Sequence, residues 1–227
     1  MYKGNSFLAI VPARGGSKRL PNKNILDLAG KPMIAWTIEA AKASKYIDTV
    51  VVTSDSSKIL KIANKLSVNT LERPKILASD TASTFDVIQH VVEYLKKRFD
   101  YIVLLQPTSP LRSEKHIDEA IEFLFKKNAN AVISVCKTSH TPEWINILPK
   151  NGSLSNFLKR GSTNKRSQDY DDFYRLNGAI YICKVESLFK DKSLFLRENI
   201  FAYIMDRRSS VDVDESIDLD LCRCYLD

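Results

Sequence analysis

The stretch Phe7-Leu8-Ala9-Ile10-Val11-Pro12-Ala13 runs directly into Arg14-Gly15-Gly16-Ser17-Lys18-Arg19-Leu20-Pro21-Asn22-Lys23-Asn24. An uncharged apolar run of this length, closed by a glycine pair, reads as a β-strand followed by the loop that leaves it. Two adjacent glycines let the backbone come close to a ligand, and Arg14, Lys18, Arg19 and Lys23 place four cations within ten residues of the same turn. That combination suits a polyphosphate. The loop lacks the Gly-Lys-Ser/Thr ending of a Walker A sequence and the third glycine of a dinucleotide fingerprint, so it is a phosphate loop of another kind. The competing reading is an ordinary strand exit with solvated lysines.

Further apolar runs of strand length follow at residues 48–54, 101–106, 129–135 and 179–183. Segments of helical period separate them. One is opened by Pro32 and runs to Ala43, and another covers 56–66. In 83–99, Ile88, Val91, Val92, Leu95 and Phe99 recur every three or four residues, and the next helix repeats this with Ile117, Ala120, Ile121, Leu124 and Phe125. This alternation predicts an α/β fold, a mostly parallel, doubly wound sheet in a single domain over residues 1–227. In such folds the ligand crevice lies beyond the carboxyl ends of the strands. The Gly-Gly loop, Ser54-Asp55 and Gln106-Pro107-Thr108-Ser109-Pro110-Leu111-Arg112 all stand at such ends and are expected to face one cleft. Residues 138–173 break the rhythm with Pro142, Pro149, Gly152 and Gly161. A loop-rich stretch this long is either functional or a contact segment, the alternative being a surface excursion.

With 44% hydrophobic and 27% charged residues the 227-residue chain has the balance of a globular protein. No segment reaches membrane-spanning length, and the run at Phe7 is too short and wrongly flanked for a signal peptide, so a cytoplasmic protein without a membrane partner is expected. Cys136, Cys183, Cys222 and Cys224 form no CxxC pair and have no histidine at ligand spacing, which predicts reduced, mostly packed thiols rather than a zinc site. The net charge of +7 raises nucleic acid as a partner, but the cations gather at 14–31 and 159–166, whereas 211–220 holds five acids and no base. A compact anionic ligand with a metal fits that distribution better than a long phosphate backbone.

The acidic stretch includes Val211-Asp212-Val213-Asp214. If extended, it points both carboxylates to one face, where two hard oxygen ligands can hold Mg²⁺ and leave positions open for water and phosphate. The alternative is a helix start, with Asp214 as N-cap and Glu215 in the first turn before Ile217 and Leu221.

Ile10 to Asn24, IVPARGGSKRLPNKN, resembles the opening signature of the acylneuraminate cytidylyltransferases. The resemblance continues in the family's order through Arg73-Pro74 with Leu77 to Thr84, LLQPTSPLR at 104–112, Arg166-Ser167-Gln168-Asp169, Arg175-Leu176-Asn177-Gly178-Ala179-Ile180-Tyr181, and Asp212 with Asp214. It implies a Rossmann-like nucleotidyltransferase that moves CMP from CTP to the anomeric hydroxyl of a nine-carbon, sialic-type ulosonic acid, with Mg²⁺ as cofactor. Carried over by position, Ala13, Arg14, Gly15, Ser17, Lys18, Lys23 and Asn24 would serve the triphosphate and ribose, and Arg73, Ser79 and Thr84 the cytidine. Gln106, Arg166, Arg175, Asn177, Tyr181 and Phe195 would bind the sugar acid. Asp212 and Asp214 would hold the metal, and Arg14, Lys18, Lys23 and Asp214 would act in catalysis. The resemblance also implies a homodimer joined through residues 138–173, with Arg166 serving the neighbouring site.

The residue types have chemical reasons. Fixed cations and backbone amides stabilise charge developing on pyrophosphate, and arginine grips a carboxylate with two parallel hydrogen bonds. Duller roles compete: Arg73 pairing on the surface, Thr84 capping a helix, Gln106 satisfying loop amides, Tyr181 and Phe195 in the core. The chain departs from the family where Tyr170-Asp171-Asp172 replaces a common proline, and where Leu194 replaces a second aromatic beside Phe195. Two other functions stay open on this evidence, activation of an eight-carbon ulosonic acid and nucleotide or RNA binding without turnover. RNA recognition finds no aromatic sheet motif in this chain.

Overall fold

The computed structural model describes residues 1–79, 81–155, 157–158 and 170–226. β1 (Phe7–Pro12) is the centre of the molecule, and residues 7–11 have no solvent exposure. Its side chains alternate between the two faces of the sheet, as the strand period requires. Phe7, Ala9 and Val11 join one hydrophobic cluster with α1 (Met33–Ala43), α2 (Ser57–Lys65) and α4 (Glu114–Lys126). Leu8 and Ile10 join another with α3 (Thr84–Leu95) and α5 (Val185–Asp191). One strand therefore anchors both helical layers.

Seven strands form the main sheet. Besides β1 they are β4 (Thr49–Ser54), β5 (Asn69–Glu72), β6 (Tyr101–Leu104), β7 (Ala131–Lys137), β8 (Tyr174–Lys184) and β9 (Ile200–Met205), in the order β5-β4-β1-β6-β8-β7-β9. β8 is antiparallel to both β6 and β7, and every other pair is parallel. This is the mostly parallel, doubly wound α/β sheet expected from the alternation of runs. The chain passes from β1 outward to β4 and β5, then returns to β6 on the other side of β1. The crevice at this reversal is where ligands bind in such sheets.

Two strands escaped the sequence reading. β5 is a polar edge strand in which only Leu71 is buried, and β9 is an edge strand with exposed Phe201 and Ile204, so neither shows a buried apolar run. β8 begins at Tyr174, five residues before the apolar run that announced it. The register between β7 and β8 shifts between Ile133 and Val135, opposite a stretch of β8 that includes Asn177-Gly178. Polar residues at an irregular step hide a strand from an apolar-run criterion.

A third, smaller cluster holds the carboxyl-terminal segment in place. The short hairpin of β2 (Asp27–Leu28) and β3 (Lys31–Pro32) and helix α6 (Ser216–Leu226) pack Leu28, Met33, Leu219 and Cys222 around Val211 and Val213. Cys136, Cys183 and Cys222 are buried free thiols and Cys224 is exposed. Among the described residues no helix is long and apolar enough to cross a membrane.

Because Ile10 is wholly buried between two parallel neighbours, Ile10→Ala is expected to lower unfolding free energy by about 2–5 kcal/mol, as lost transfer energy and a residual cavity add. Urea unfolding followed by circular dichroism measures it. A loss below about 1 kcal/mol would contradict the central role given to β1.

Candidate active site

The site is built where the strands end. Beyond β1, Ala13 is buried with its amide bonded to the Thr53 carbonyl at 3.0 Å, and the Gly15 amide donates to Asp55 Oδ1 at 2.8 Å. A β-carbon on Gly15 would stand 2.9 Å from Ser56 Cβ, whereas one on Gly16 would meet nothing within 4 Å. The close approach expected of the glycine pair thus belongs to Gly15 and is made to the end of β4, a protein contact rather than a ligand contact. Further along, Asn22 takes a left-handed turn (φ 57°) into one 3₁₀ turn, Lys23–Ile25. That turn buries Asn24, whose Nδ2 donates to the Arg14 carbonyl at 2.9 Å and folds the loop back on itself. Asn24 Oδ1 is buried with no hydrogen-bond partner among the described residues.

The same loop meets the far end of the chain. Lys23 Nζ lies 2.8 Å from Asp214 Oδ1 and an Arg19 guanidinium nitrogen lies 2.8 Å from Asp214 Oδ2. Val211 and Val213 point into the third cluster, and the Val213 amide donates to the Thr108 carbonyl at 2.8 Å, which leaves Asp212 and Asp214 turned the other way. The extended reading of this segment holds. Its helix-start alternative holds in part: α6 begins at Ser216, but the side chain at this end that accepts from the amides of Asp214 and Glu215 is that of Asp218, and Leu219 and Cys222 rather than Ile217 and Leu221 face inward.

Two cavities share the carboxylate pair. One, of about 330 Å³, also exposes Arg14, Ser17, Lys23, Asn24, Arg73, Gln106 and Thr108. The other, of about 790 Å³, adds Arg19, Lys137, Arg175 and Arg207. The two carboxyl groups are pushed in opposite directions. The hydrogen bond from Lys23 lowers the pKa of Asp214, with the charges of Lys23 and Arg19 adding to it. Burial raises that of Asp212, and the Asp214 charge adds to the rise against the Thr108 hydroxyl, Lys23 and Arg175. Such a split separates the tasks two neighbouring carboxylates can perform. Among the described residues no group of three His, Cys, Asp or Glu side chains could hold a metal. The pair nevertheless offers two hard oxygen donors, one of them penalised for carrying its charge unaided, and a dication that keeps water and phosphate ligands fits that donor set.

Arg73 is buried rather than paired on the surface. Burial lowers its pKa, with Asp55 opposing and the Arg14 charge adding, and its Nε has no hydrogen-bond partner among the described residues. Gln106 meets Gly178, which sits at φ +75°; a β-carbon there would stand 2.5 Å from Gln106 Oε1 and 3.8 Å from Asp212 Oδ2. Arg175 lines the larger cavity and reaches the Ser210 carbonyl at 3.2 Å. Tyr181 is in the core and Phe195 is half exposed, their rings edge to face with centroids 6.2 Å apart. Burial and the Asp212 charge both raise the pKa of Tyr181.

Other expected residues stand elsewhere. Asn177 is buried, with Oδ1 accepting from Ser134 Oγ and the Ala179 amide while Nδ2 donates to Ser210 Oγ and the Met205 sulfur. It has no group left for a sugar, and it ties β7 and β8 to the loop that carries Asp212. Ser79 and Thr84 are exposed and line neither cavity; Ser79 Oγ bonds the Ile76 carbonyl, and the cap of α3 is Ser83 with Asp86, not Thr84. Lys18 is exposed on the loop and lines neither cavity. Arg166 lies outside the described residues. Thr108 and Asp55, which received no role from the sequence, hold Asp212 and Gly15; their only signal was their place at strand ends.

A switch-point cleft in which a cationic loop faces a carboxylate pair has the chemistry that suits a phosphorylated ligand. Residues 8–203 match the cytidylyltransferase family. The chain is 39% identical over 216 residues to an N-acylneuraminate cytidylyltransferase of Escherichia coli, covering 95% of this chain and 51% of that one. It is 36% identical over 225 residues to a CMP-N,N'-diacetyllegionaminic acid synthase of Legionella pneumophila, covering 93% and 92%. A solved CMP:2-keto-3-deoxy-manno-octonic acid synthetase complexed with CTP shares the fold with a TM-score of 0.74 at 18% identity, covering 97% of this chain and 98% of that one. The chain belongs to the cytidylyltransferase family, beside the acylneuraminate cytidylyltransferases, and spans about half the length of the first of these relatives.

The raised pKa of Asp212 has a consequence for stability. A carboxyl whose folded pKa exceeds its unfolded value contributes stability that is complete below the unfolded pKa, near 4, and lost as pH rises through the folded one. In metal-free buffer, Asp212→Asn is therefore expected to melt higher than the native protein at pH 8, with the gain disappearing toward pH 3.5. Thermal unfolding across that range tests it, and a variant less stable at pH 8 would contradict it.

Proposed function

We propose that the protein transfers CMP from CTP to the anomeric hydroxyl of a nine-carbon ulosonic acid and releases pyrophosphate. The observation that carries this reading is the meeting of Lys23 with Asp214, which brings a phosphate loop and a carboxylate pair onto one cavity. The relatives at 39% and 36% identity are named for N-acylneuraminate and N,N'-diacetyllegionaminic acid, both nine-carbon sugars. The fold neighbour named for the octonic acid is 18% identical, so the eight-carbon acid is the weaker alternative.

In this reading the smaller cavity receives the nucleotide. Arg14, Lys23 and the Ser17 region hold the triphosphate, Asn24 Oδ1 accepts from a ribose hydroxyl, and the Arg73 guanidinium borders the base. Phosphoryl-type transfer is catalysed mainly by positioning and charge stabilisation, and these cations supply both. The larger cavity receives the carboxylate end of the sugar acid, where Arg175 grips it, and a hydroxyl reaches Gln106 on the wall of the smaller cavity, beside Asp212, which lines both; Phe195 lines neither cavity. The anomeric oxygen forms a bond to the α-phosphorus as the bond to the bridging oxygen of the β-phosphate breaks. Asp212 takes the proton of the attacking hydroxyl, because Asp214 is committed to Lys23 and Arg19. Asp212 and Asp214 would hold Mg²⁺, which when bound neutralises phosphate charge and acidifies a coordinated hydroxyl.

The homodimer belongs to the same proposal. Within 138–173, Ile145, Ile147, Leu148 and Leu154 are each at least 60% exposed, and across β8, β7 and β9 the row Leu176, Val135, Ile204 carries two more exposed apolar side chains. Patches of this kind mark contact surfaces.

The test is pyrophosphate release from CTP and Mg²⁺ with N-acetylneuraminic, legionaminic, pseudaminic and eight-carbon ulosonic acids in parallel. Turnover is expected with a nine-carbon acid. Asp212→Ala should reduce kcat by about a hundredfold or more, the scale of a lost charge-stabilising group, while CTP still binds. Absence of pyrophosphate with every acid would refute the assignment.

A further inference from the structure

Arg112 is 2% exposed and faces no carboxylate; one guanidinium nitrogen donates to the Gln106 carbonyl at 3.1 Å and to the Ala179 carbonyl at 2.8 Å. Its Nε and second terminal nitrogen have no hydrogen-bond partner among the described residues. Burial lowers its pKa to about 9, which leaves it a cation at neutral pH. A buried charge bonded only to neutral groups is costly, so its position calls for a reason.

The sheet register supplies one. β6 and β8 pair antiparallel from Tyr101 opposite Lys184 to Leu104 opposite Tyr181. Extending that register by two residues sets Gln106 opposite Ala179, but the named pairing has ended there. Arg112 joins the carbonyls of those two residues. Two successive turns, with the Ser109 amide on the Gln106 carbonyl and the Arg112 amide on the Ser109 carbonyl, curl Gln106-Pro107-Thr108-Ser109-Pro110-Leu111-Arg112 back so that its last side chain reaches its first residue. The strands separate at this point to open the crevice, and immediately beside the bridge Gln106 Oε1 lies against Gly178.

We propose that Arg112 is a positioning residue: its guanidinium replaces a rung of the β6–β8 ladder, sets the width of the crevice between Gln106 and Gly178, and so fixes the Gln106 side chain toward the sugar acid. The role at Gln106 rests on the function proposed above; the bridge itself does not. Arg112 touches neither substrate. Its loss acts through Gln106 and on one substrate only.

Arg112→Met is expected to raise KM for the sugar acid at least tenfold while the Kd for CTP, measured without acid, stays within twofold. Arg112→Lys should recover most of the loss, since an ammonium can face both carbonyls. In the Gln106→Ala background Arg112→Met should add no more than twofold to acid KM, because residues acting as one unit are not additive. Amide exchange should quicken at Leu105, Gln106 and 178–180 and remain slow along β1 and β4. If Arg112→Met does not fold, Arg112→Gln carries the same comparisons with a single donor. Additive effects, an equal loss of CTP binding, or an unchanged acid KM in a folded variant would overturn the proposal. If the native protein turns over no ulosonic acid, the proposed function fails instead. The bridge is then judged by exchange, and unchanged protection at Leu105, Gln106 and 178–180 would overturn it.

Discussion

Lys23 and Asp214 are separated by 191 residues and meet at 2.8 Å. Their contact joins the loop that leaves the central strand to the segment that follows the last strand, and every other site residue is arranged around that junction. A pair in which one partner is more than a third exposed contributes at most about 1 kcal/mol to stability, so the ion pair does not hold the fold together. The reverse dependence is the informative one. Val211 and Val213, packed against Leu28, Met33 and α6, bring Asp214 within reach of Lys23, and the left-handed turn at Asn22 brings Lys23 within reach of Asp214. Apolar packing provides the energy, and the ion pair sets the local geometry.

The same junction explains the unequal carboxylates. Asp214 takes both nearby cations and keeps its charge easily, whereas Asp212, one pleat away and deeper, has only the Thr108 hydroxyl and the more distant fields of Lys23 and Arg175. A protein selected for stability alone would place a neutral side chain at Asp212. Under the proposed function, a carboxylate placed where burial penalises it is the familiar conflict between stability and activity.

The layered sheet, its central strand and the loops at its carboxyl end were legible because buried apolar runs and helical periods carry strong one-dimensional signals. Asp212 and Asp214 were legible as an extended pair because their neighbours are both valines. What was hidden depends on contacts across the chain. β5 is polar apart from Leu71, whereas β9 is an apolar run, Ile200 to Met205, that the reading of the sequence passed over. The close packing at Gly15 depends on Ser56, and the burial of Arg73 depends on Asp55 and Arg14. Asn177 illustrates the limit most clearly: the family resemblance gives it to the sugar, and only the positions of Ser134, Met205 and Ser210 reveal that its amide is already used.

The one reversed strand accounts for the division of the cleft into two cavities. In a wholly parallel sheet only strand ends and the loops after them reach the crevice, which suits a nucleotide held by backbone amides and loop cations. Because β8 runs the other way, its amino-terminal half comes to the same edge, and Arg175 enters the site from a strand paired to β7 at Cys136 rather than from a loop. Gly178 follows three residues later, where the register step needs a positive φ and Gln106 leaves no room for a β-carbon. A guanidinium fixed by a sheet loses little further freedom on gripping a carboxylate, whereas one on a loop must be ordered at the cost of side-chain and backbone entropy. The antiparallel strand thus brings Arg175 to one wall of the larger cavity from a paired strand rather than from a loop.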